Sequence, residues 1–117
     1  MQNKRQLGLY YEEKAHCFLC KQGLTFLAKN HGSQLGEIDL IMQDHACLVF
    51  IEVRYRKNEL YGDAQSTVTK KKQSKVIQAA YNWMQQQQID IETKEFRFDV
   101  FAITGDNYCW IKNAFDC

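Results

Sequence analysis

Two strongly β-prone runs, residues 36–42 and 47–55, are separated by four turn-forming residues, 43–46. This spacing predicts an antiparallel β-hairpin and constrains the fold more than any other feature of the chain. An even-numbered loop pairs positions whose numbers sum to an odd value, and side chains alternate between the faces of a strand. The rule therefore predicts one wholly apolar face, formed by Ile38, Leu40, Val49, Ile51 and Val53.

The opposite face of the hairpin combines charged and apolar residues, namely Asp39, Leu48, Phe50, Glu52 and Arg54. The Cβ atoms of Asp39 and Glu52 would lie roughly 5 Å apart on neighbouring strands. Two carboxylates at that distance repel each other unless a cation lies between them, and oxygen ligands suit Mg²⁺ or Mn²⁺. The alternative is that one carboxylate forms an ion pair with Arg54 or Arg56 at the end of the sheet.

The remaining elements follow from apolar spacing and turn residues. We predict a helix over 4–22 that stops at Gly23, a strand over 24–29, and a turn over 30–33. Thr69 is a suitable N-cap for a second helix that extends to about residue 87. Strands over 96–103 and 108–112 complete the order αβββαββ. This order predicts an α/β fold with a mixed central sheet flanked by helices.

Composition narrows the class of protein. The 117 residues contain no proline and are 45% hydrophobic, which indicates one globular domain over residues 1–117 and excludes a disordered or fibrous chain. No apolar run reaches the roughly 20 residues of a membrane span, and the polar N-terminus does not resemble a signal peptide. We therefore expect a cytoplasmic protein.

The five cysteines form an odd set, for which we expect reduced thiols, several of them buried, and no structural disulfide. Cys17 and Cys20 form a C-x-x-C pair. A zinc site would need a second pair or suitably spaced histidines, and a thioredoxin-like pair would begin a helix rather than end one. Neither zinc nor redox chemistry is the favoured interpretation.

Charge is unevenly distributed along the chain, although the net charge is only +1. Residues 54–75 contain seven basic and two acidic residues, a local charge of +5. Such a cluster is suited to a phosphate backbone, and besides Arg54 and Lys72 it comprises Arg56, Lys57, Lys70, Lys71 and Lys75. The alternative is a solvated lysine face on a helix, which is the commoner meaning of such a run.

Two helical residues are candidates to join the carboxylate pair. Glu12 lies at the border of the apolar stripe of the first helix, and Lys72 lies one turn before Val76 on the inward stripe of the second. Each has an ordinary alternative, as a surface glutamate and as a lysine extending from the edge of a core. Together they would add a carboxylate and a cation, which with the first pair are the groups used in phosphodiester hydrolysis.

The motifs in sequence carry a resemblance to a known family. Three motifs matter: Gly-Glu-Ile-Asp-Leu-Ile at 36–41, Val-Phe-Ile-Glu-Val-Arg-Tyr-Arg at 49–56 and Arg-Phe-Asp-Val at 97–100. Four single residues accompany them, namely Gly8, Glu12, Gly62 and Lys72. This combination, over most of the chain, resembles the bacterial YraN-like family, whose members are predicted to be endonucleases. The resemblance implies a restriction-endonuclease-like core of order αβββαβ, distantly similar to archaeal Holliday junction resolvases.

The resemblance also implies roles for individual residues. Asp39 and Glu52 would bind Mg²⁺ or Mn²⁺, Glu12 would support them directly or through water, and DNA, including branched or single-stranded regions, would be the substrate. The family pattern is an aspartate followed by Glu-x-Lys, whereas this sequence has Arg54 in place of the lysine. Arginine can bind a phosphate through two hydrogen bonds but cannot accept a proton, so Lys72 is our candidate for the missing ammonium group.

Three interpretations of function stay open at this point. The first is a metal-dependent endonuclease, in which Arg54 and Lys72 contact the phosphate. The second is a nucleic-acid-binding module of the same fold that has lost catalysis, and the third is a protein-interaction domain. A resolvase-like role would favour a homodimer because two symmetric strands need two cuts, although no residue specifies a dimer face.

Other conspicuous residues have structural interpretations. We expect Asp99 to pair with a basic residue rather than to bind a metal. Most of the larger aromatic residues are expected in the core, although each could stack on an unpaired base: Tyr10, Tyr55, Tyr61, Trp83 and Trp110. Segments 34–36 and 57–62 are expected to form flexible edges of a nucleic-acid groove.

Overall fold

The computed structural model describes residues 4–33, 36–58 and 64–116. Its elements are α1 (Lys4–Lys21), β1 (Thr25–Ser33), β2 (Gly36–Asp44), β3 (Cys47–Arg56), a short 3₁₀ turn (Gln65–Thr67), α2 (Lys70–Gln86), β4 (Phe96–Thr104) and β5 (Asn107–Phe115). The order αβββαββ predicted from the sequence is confirmed.

The five strands form one sheet in the order β1-β2-β3-β4-β5. Strands β3 and β4 are parallel, and the other three neighbouring pairs are antiparallel. The segment that joins β3 to β4 contains α2, whose apolar residues pack in a core cluster on one face of the sheet. Residues of α1 pack in a second cluster, which contains the alternate residues of β3. The sheet is therefore mixed and flanked by helices, consistent with a restriction-endonuclease-like α/β core.

Both helices begin or end where local chemistry predicts. The side chain of Thr69 accepts a hydrogen bond from the backbone N–H of Lys72, at 3.2 Å, and so caps α2. Gly23 follows α1 with a φ of +101°, a conformation that glycine adopts at little cost. The predicted apolar stripe of α2 is buried at Val76, Ala79, Ala80 and Trp83.

The register of the β2–β3 hairpin follows the predicted rule that the numbers of paired positions sum to an odd value. Leu40 pairs with Ile51 and Ile41 with Phe50, so each pair sums to an odd number. Leu40 and Ile51 lie in the α1 cluster, and Phe50 lies in the α2 cluster.

The position predicted for Ile38 is wrong, because this side chain is buried in the α2 cluster rather than beside Leu40. The pairing of β2 with β3 ends at Leu40, and the next residue, Asp39, bonds the β3 backbone through its side chain. Simple alternation of side chains holds only where strands pair regularly.

Two strands are longer than predicted. Residues 30–33, expected to form a turn, extend β1 as far as the pairing of Ser33 with Gly36. Strand β5 runs to Phe115 rather than residue 112. The extension of β1 pairs with β2, whereas the end of β5 pairs with β4 at Phe115 and its Asn113 N–H donates to the Asp99 side chain. These hydrogen bonds outweigh local propensity.

Two expectations about the exterior can be compared with the structure. In the described residues, no helix is long and apolar enough to cross a membrane. Of the four cysteines described, Cys17, Cys20 and Cys109 are exposed and only Cys47 is buried, so the expectation of several buried thiols is wrong for this part of the chain.

Candidate active site

A cleft of about 750 Å³ opens where α1, the β2–β3 hairpin and the start of α2 meet. All five predicted catalytic residues line it: Glu12, Asp39, Glu52, Arg54 and Lys72. Its other lining residues are Leu7, Gly8, Tyr11, Glu37, Val53, Tyr55, Arg56 and Thr67. The fold thus brings together residues that are up to 60 positions apart in the sequence, as the numbers of Glu12 and Lys72 show.

Asp39 and Glu52 form a carboxyl pair in this cleft. The Asp39 Oδ2 atom accepts a hydrogen bond from the backbone N–H of Val53, at 2.8 Å, which places the side chain at the end of the β2–β3 pairing. Glu52 is only 2% exposed. Burial first, and then its hydrogen bond and repulsion with Asp39, raise the pKa of Glu52 to about 10. Burial and the neighbouring Asp39 thus favour the protonated form of Glu52, and the charges of Lys72 and Arg54 oppose this effect.

Two cations lie beside the pair. The Lys72 Nζ atom is 3.7 Å from Glu52 Oε2, an oxygen that accepts no hydrogen bond from any residue in the described ranges. The Arg54 Nε atom is buried and likewise has no hydrogen-bond partner within those ranges. Among the described residues, the close contact of Glu52 with a cation is with Lys72 rather than with Arg54 or Arg56. The inward position predicted for Lys72 is confirmed.

Glu12 lines the same cleft, with its Oε1 atom buried. However, no three His, Cys, Asp or Glu side chains among the described residues are grouped so that they could hold a metal ion. The side-chain positions seen here therefore do not place Glu12 in a three-ligand group with Asp39 and Glu52. An ion bound through two carboxylates, with water and phosphate oxygens as further ligands, is a common arrangement for Mg²⁺. The oxygen donors of the pair fit such an ion.

Two tyrosines form a wall of the cleft. The rings of Tyr11 and Tyr55 are stacked with their centres 3.7 Å apart and their planes 14° apart. Burial first, and then the hydrogen bond with Tyr55, raise the pKa of the Tyr11 hydroxyl to about 12. Sequence reasoning gave no functional role to Tyr11, Glu37 or Thr67. A signal for Tyr11 and Glu37 was available, because each is close in sequence to a predicted site residue.

Of the five predicted nucleic-acid-binding residues, one lines the cleft and four do not. Arg56 is exposed and lines the cleft. The others are also exposed, Lys57 after β3 and Lys70, Lys71 and Lys75 on α2, but they do not line it. Most of the expected groove edges, residues 34–35 and 59–62, and with them Tyr61 and Gly62, are outside the described residues.

Asp99 is not part of the cleft. It is fully buried and accepts hydrogen bonds from Arg97 Nε at 3.0 Å, Trp110 Nε1 at 2.9 Å and the backbone N–H of Asn113 at 2.9 Å. The predicted structural pairing with a basic residue is confirmed. Of the aromatic residues considered as base-stacking candidates, Trp83 is buried and Tyr10 is exposed.

Comparison with known proteins places the chain in a family. The model described as "Uncharacterised protein family UPF0102" matches residues 11–103, a range that contains the whole carboxyl pair and both cations. The chain belongs to family UPF0102. This membership confirms the YraN-like resemblance at the level of the family.

The UPF0102 relatives are similar along nearly their whole length. A UPF0102 protein of Pectobacterium carotovorum is 48% identical over 113 residues, which are 97% of this chain and 96% of the relative. One from Photorhabdus laumondii is 50% identical over 110 residues, 94% of this chain and 87% of the relative. One from Vibrio cholerae is 45% identical over 114 residues, 96% of this chain and 93% of the relative. The similarity therefore extends over nearly the whole of this chain and most of each relative.

Proposed function

We propose that this UPF0102 protein is a metal-dependent endodeoxyribonuclease of the cytoplasm that hydrolyses phosphodiester bonds in DNA, branched or otherwise structured DNA included. The observation that carries the proposal is the carboxyl pair of Asp39 and the buried Glu52, in a cleft that also contains Lys72 and Arg54. Two acids forced together beside two cations are costly to fold and are typical of sites that process phosphate.

Mg²⁺ or Mn²⁺ bound by Asp39 and Glu52 would supply an activated water and neutralise charge on the phosphate. Glu12 would hold a water at the side of the pair, since it lines the same cleft. Arg54 lines the cleft, and its guanidinium can donate hydrogen bonds to a phosphate oxygen there. Lys72 would take the place of the lysine in the Glu-x-Lys pattern, because its ammonium group already lies beside Glu52.

The decisive experiment is a cleavage assay on supercoiled plasmid, a linear duplex and a four-way junction, each with Mg²⁺ or Mn²⁺. We expect cleavage by the wild type and its loss in Asp39→Asn and Glu52→Gln. Glu92→Gln, which neutralises an exposed glutamate, is the matched control and should cleave normally. Cleavage that survives both cleft variants would exclude the proposed active site.

A second function, DNA binding without cleavage, is favoured by Arg54, which cannot accept a proton as a lysine can. In that case the purified protein binds DNA, cleaves none of the substrates with either metal, and still binds after Asp39→Asn. The same set of variants therefore separates the two functions.

A further inference from the structure

Two exposed aromatic side chains lie along α1, one on the helix itself and one packed against it. Five large hydrophobic side chains are clearly exposed in the described part of the chain, and the two aromatic ones are Tyr10, at 46%, and Tyr108, at 41%. Tyr10 lies on α1 one turn before Lys14, whose Nζ atom is 4.9 Å from the centre of the Tyr10 ring. Tyr108 packs edge-on against Phe18, one turn after Lys14, with ring centres 5.6 Å apart. We call Tyr10, Lys14 and Tyr108 the tyrosine surface.

The tyrosine surface is continuous with the cleft. The ring of Tyr10 meets that of Tyr11 edge-on, with centres 5.0 Å apart, and Tyr11 is stacked on Tyr55 inside the cleft. A row of rings therefore leads from the cleft to the exterior. The next residue after Tyr11 is Glu12, so the row begins beside a predicted catalytic residue.

Charge around this surface is mixed. Lys14 is the cation, and a hydrogen bond with Tyr10 is the largest cause that raises its pKa, with the charge of Asp106 a smaller one. Because Asp106 in the β4–β5 turn would repel a phosphate, an attraction for nucleic acid here must depend on the rings more than on charge. Aromatic rings bind unpaired bases by stacking, whereas the bases of an intact duplex are already stacked on one another.

We propose that the tyrosine surface binds unpaired nucleotides of a DNA strand whose backbone runs through the cleft, so that the protein favours DNA with a single-stranded segment over intact duplex. This inference rests on the proposed function, because the cleft is what brings a strand to the rings. Tyr10 presents the more exposed ring and is the principal contact.

The test measures binding in a chelator, so that no cleavage occurs, to two fluorescent probes: oligothymidylate of about 15 nucleotides and a blunt duplex of the same length. We expect Tyr10→Ala to weaken binding to oligothymidylate about tenfold and binding to duplex less than about twofold. Tyr10→Phe keeps the ring and should bind both probes like the wild type. Leu9→Ala is the matched control, since Leu9 is the neighbouring residue and is 42% exposed.

Salt dependence adds a second readout. Tyr10→Ala removes no charge, so the slope of log affinity against log salt should stay unchanged, whereas Arg56→Ala should reduce it. Wild-type affinity of Tyr10→Ala for oligothymidylate, or equal losses in Tyr10→Ala and Tyr10→Phe, would overturn the inference. If either result is found while the wild type still binds and cleaves DNA, the inference fails and the proposed function remains. A wild type that binds neither probe also overturns the inference, and the cleavage assay with Mg²⁺ or Mn²⁺ tests the proposed function separately.

Discussion

Glu52 is a residue whose burial opposes folding. Its carboxyl is almost fully buried beside another acid, and both effects disfavour the charged form. Between its ordinary pKa of 4.5 and a pKa of about 10 in the folded protein, the folded state holds a proton that the unfolded state has lost. The free energy of unfolding therefore falls as pH rises through this window.

Replacement of Glu52 by glutamine should remove that dependence on pH. The wild type should lose up to about 1.4 kcal/mol of stability per pH unit within the window, and Glu52→Gln should be the more stable protein above neutral pH. Urea denaturation in a chelator between about pH 5 and pH 9 measures the two slopes. Parallel slopes for Glu52→Gln and the wild type would show that Glu52 is charged in the folded protein. Glu92→Gln should follow the wild type.

Lys72 is the second residue whose role can be isolated. If it supplies the ammonium group that position 54 lacks, Lys72→Ala should lower cleavage about 100-fold, the usual effect of removing one group that stabilises a transition state. Lys112→Ala, at an exposed lysine of β5 that does not line the cleft, is the matched control and should change cleavage little.

A lysine introduced at position 54 tests the same role of Lys72 from the other side. Arg54→Lys restores the Glu-x-Lys pattern, so adding it to Lys72→Ala should recover part of the lost cleavage rate. Single-turnover assays measure both effects apart from product release. Wild-type cleavage by Lys72→Ala would remove Lys72 from the chemistry.

At the scale of elements, Asp99 connects the last two strands. The β4–β5 pairing shifts register between Phe98 and Val100, and Asn113 has a φ of +52°. The carboxylate of Asp99 accepts hydrogen bonds from Arg97, Trp110 and the Asn113 backbone, so it holds the irregular part of β5 against β4. Loss of one partner would leave a buried polar group unsatisfied, which destabilises the folded protein.

Asp99→Asn should accordingly destabilise the protein by about 3 kcal/mol, because the side-chain NH₂ group cannot accept the bonds and Arg97 loses a buried partner. Urea denaturation followed by the fluorescence of Trp110 and Trp83 measures the loss. Asp106→Asn, an exposed acid in the turn of the same hairpin, should cost far less. A loss for Asp99→Asn no larger than that control would contradict the structural role.

At the scale of the whole molecule, the distribution of charge matters more than its sum. The net charge is +1, yet the exposed lysines Lys70, Lys71 and Lys75 follow the N-terminus of α2, the helix that carries Lys72 into the cleft. A phosphate backbone in the cleft would pass close to this end of the helix, where the helix dipole also favours anions.

Substitution of all three lysines by glutamine should weaken DNA binding and reduce the salt slope by about 0.9 for each phosphate that the protein no longer neutralises. Fluorescence anisotropy at several salt concentrations gives both quantities. A triple variant at Lys21, Lys29 and Lys112, three exposed lysines elsewhere, has the same net charge and is the control. Equal slopes for the two triple variants would show that total charge, rather than its position, governs binding.

The sequence predicted most of the fold and the composition of the site from local patterns. Apolar spacing, the Thr69 cap and the stop at Gly23 located both helices, and β-prone runs with turn residues located the strands and the hairpin register. Such features depend on residues within about one or two turns or one hairpin of each other, so a sequence displays them directly. Alternation along β3 likewise predicted that Phe50 and Ile51 face opposite ways.

Only the tertiary structure decided how far these patterns apply and how the distant groups meet. The side of Ile38, the extension of β1 over residues 30–33 and the hydrogen bond of Asp39 to Val53 depend on pairing with other strands. The protonation of Glu52, the approach of Lys72 to it and the row of tyrosine rings depend on how helices pack on the sheet. The reason is physical: burial and the interactions of charged and aromatic groups are set by distances in space, which separation along the chain does not determine.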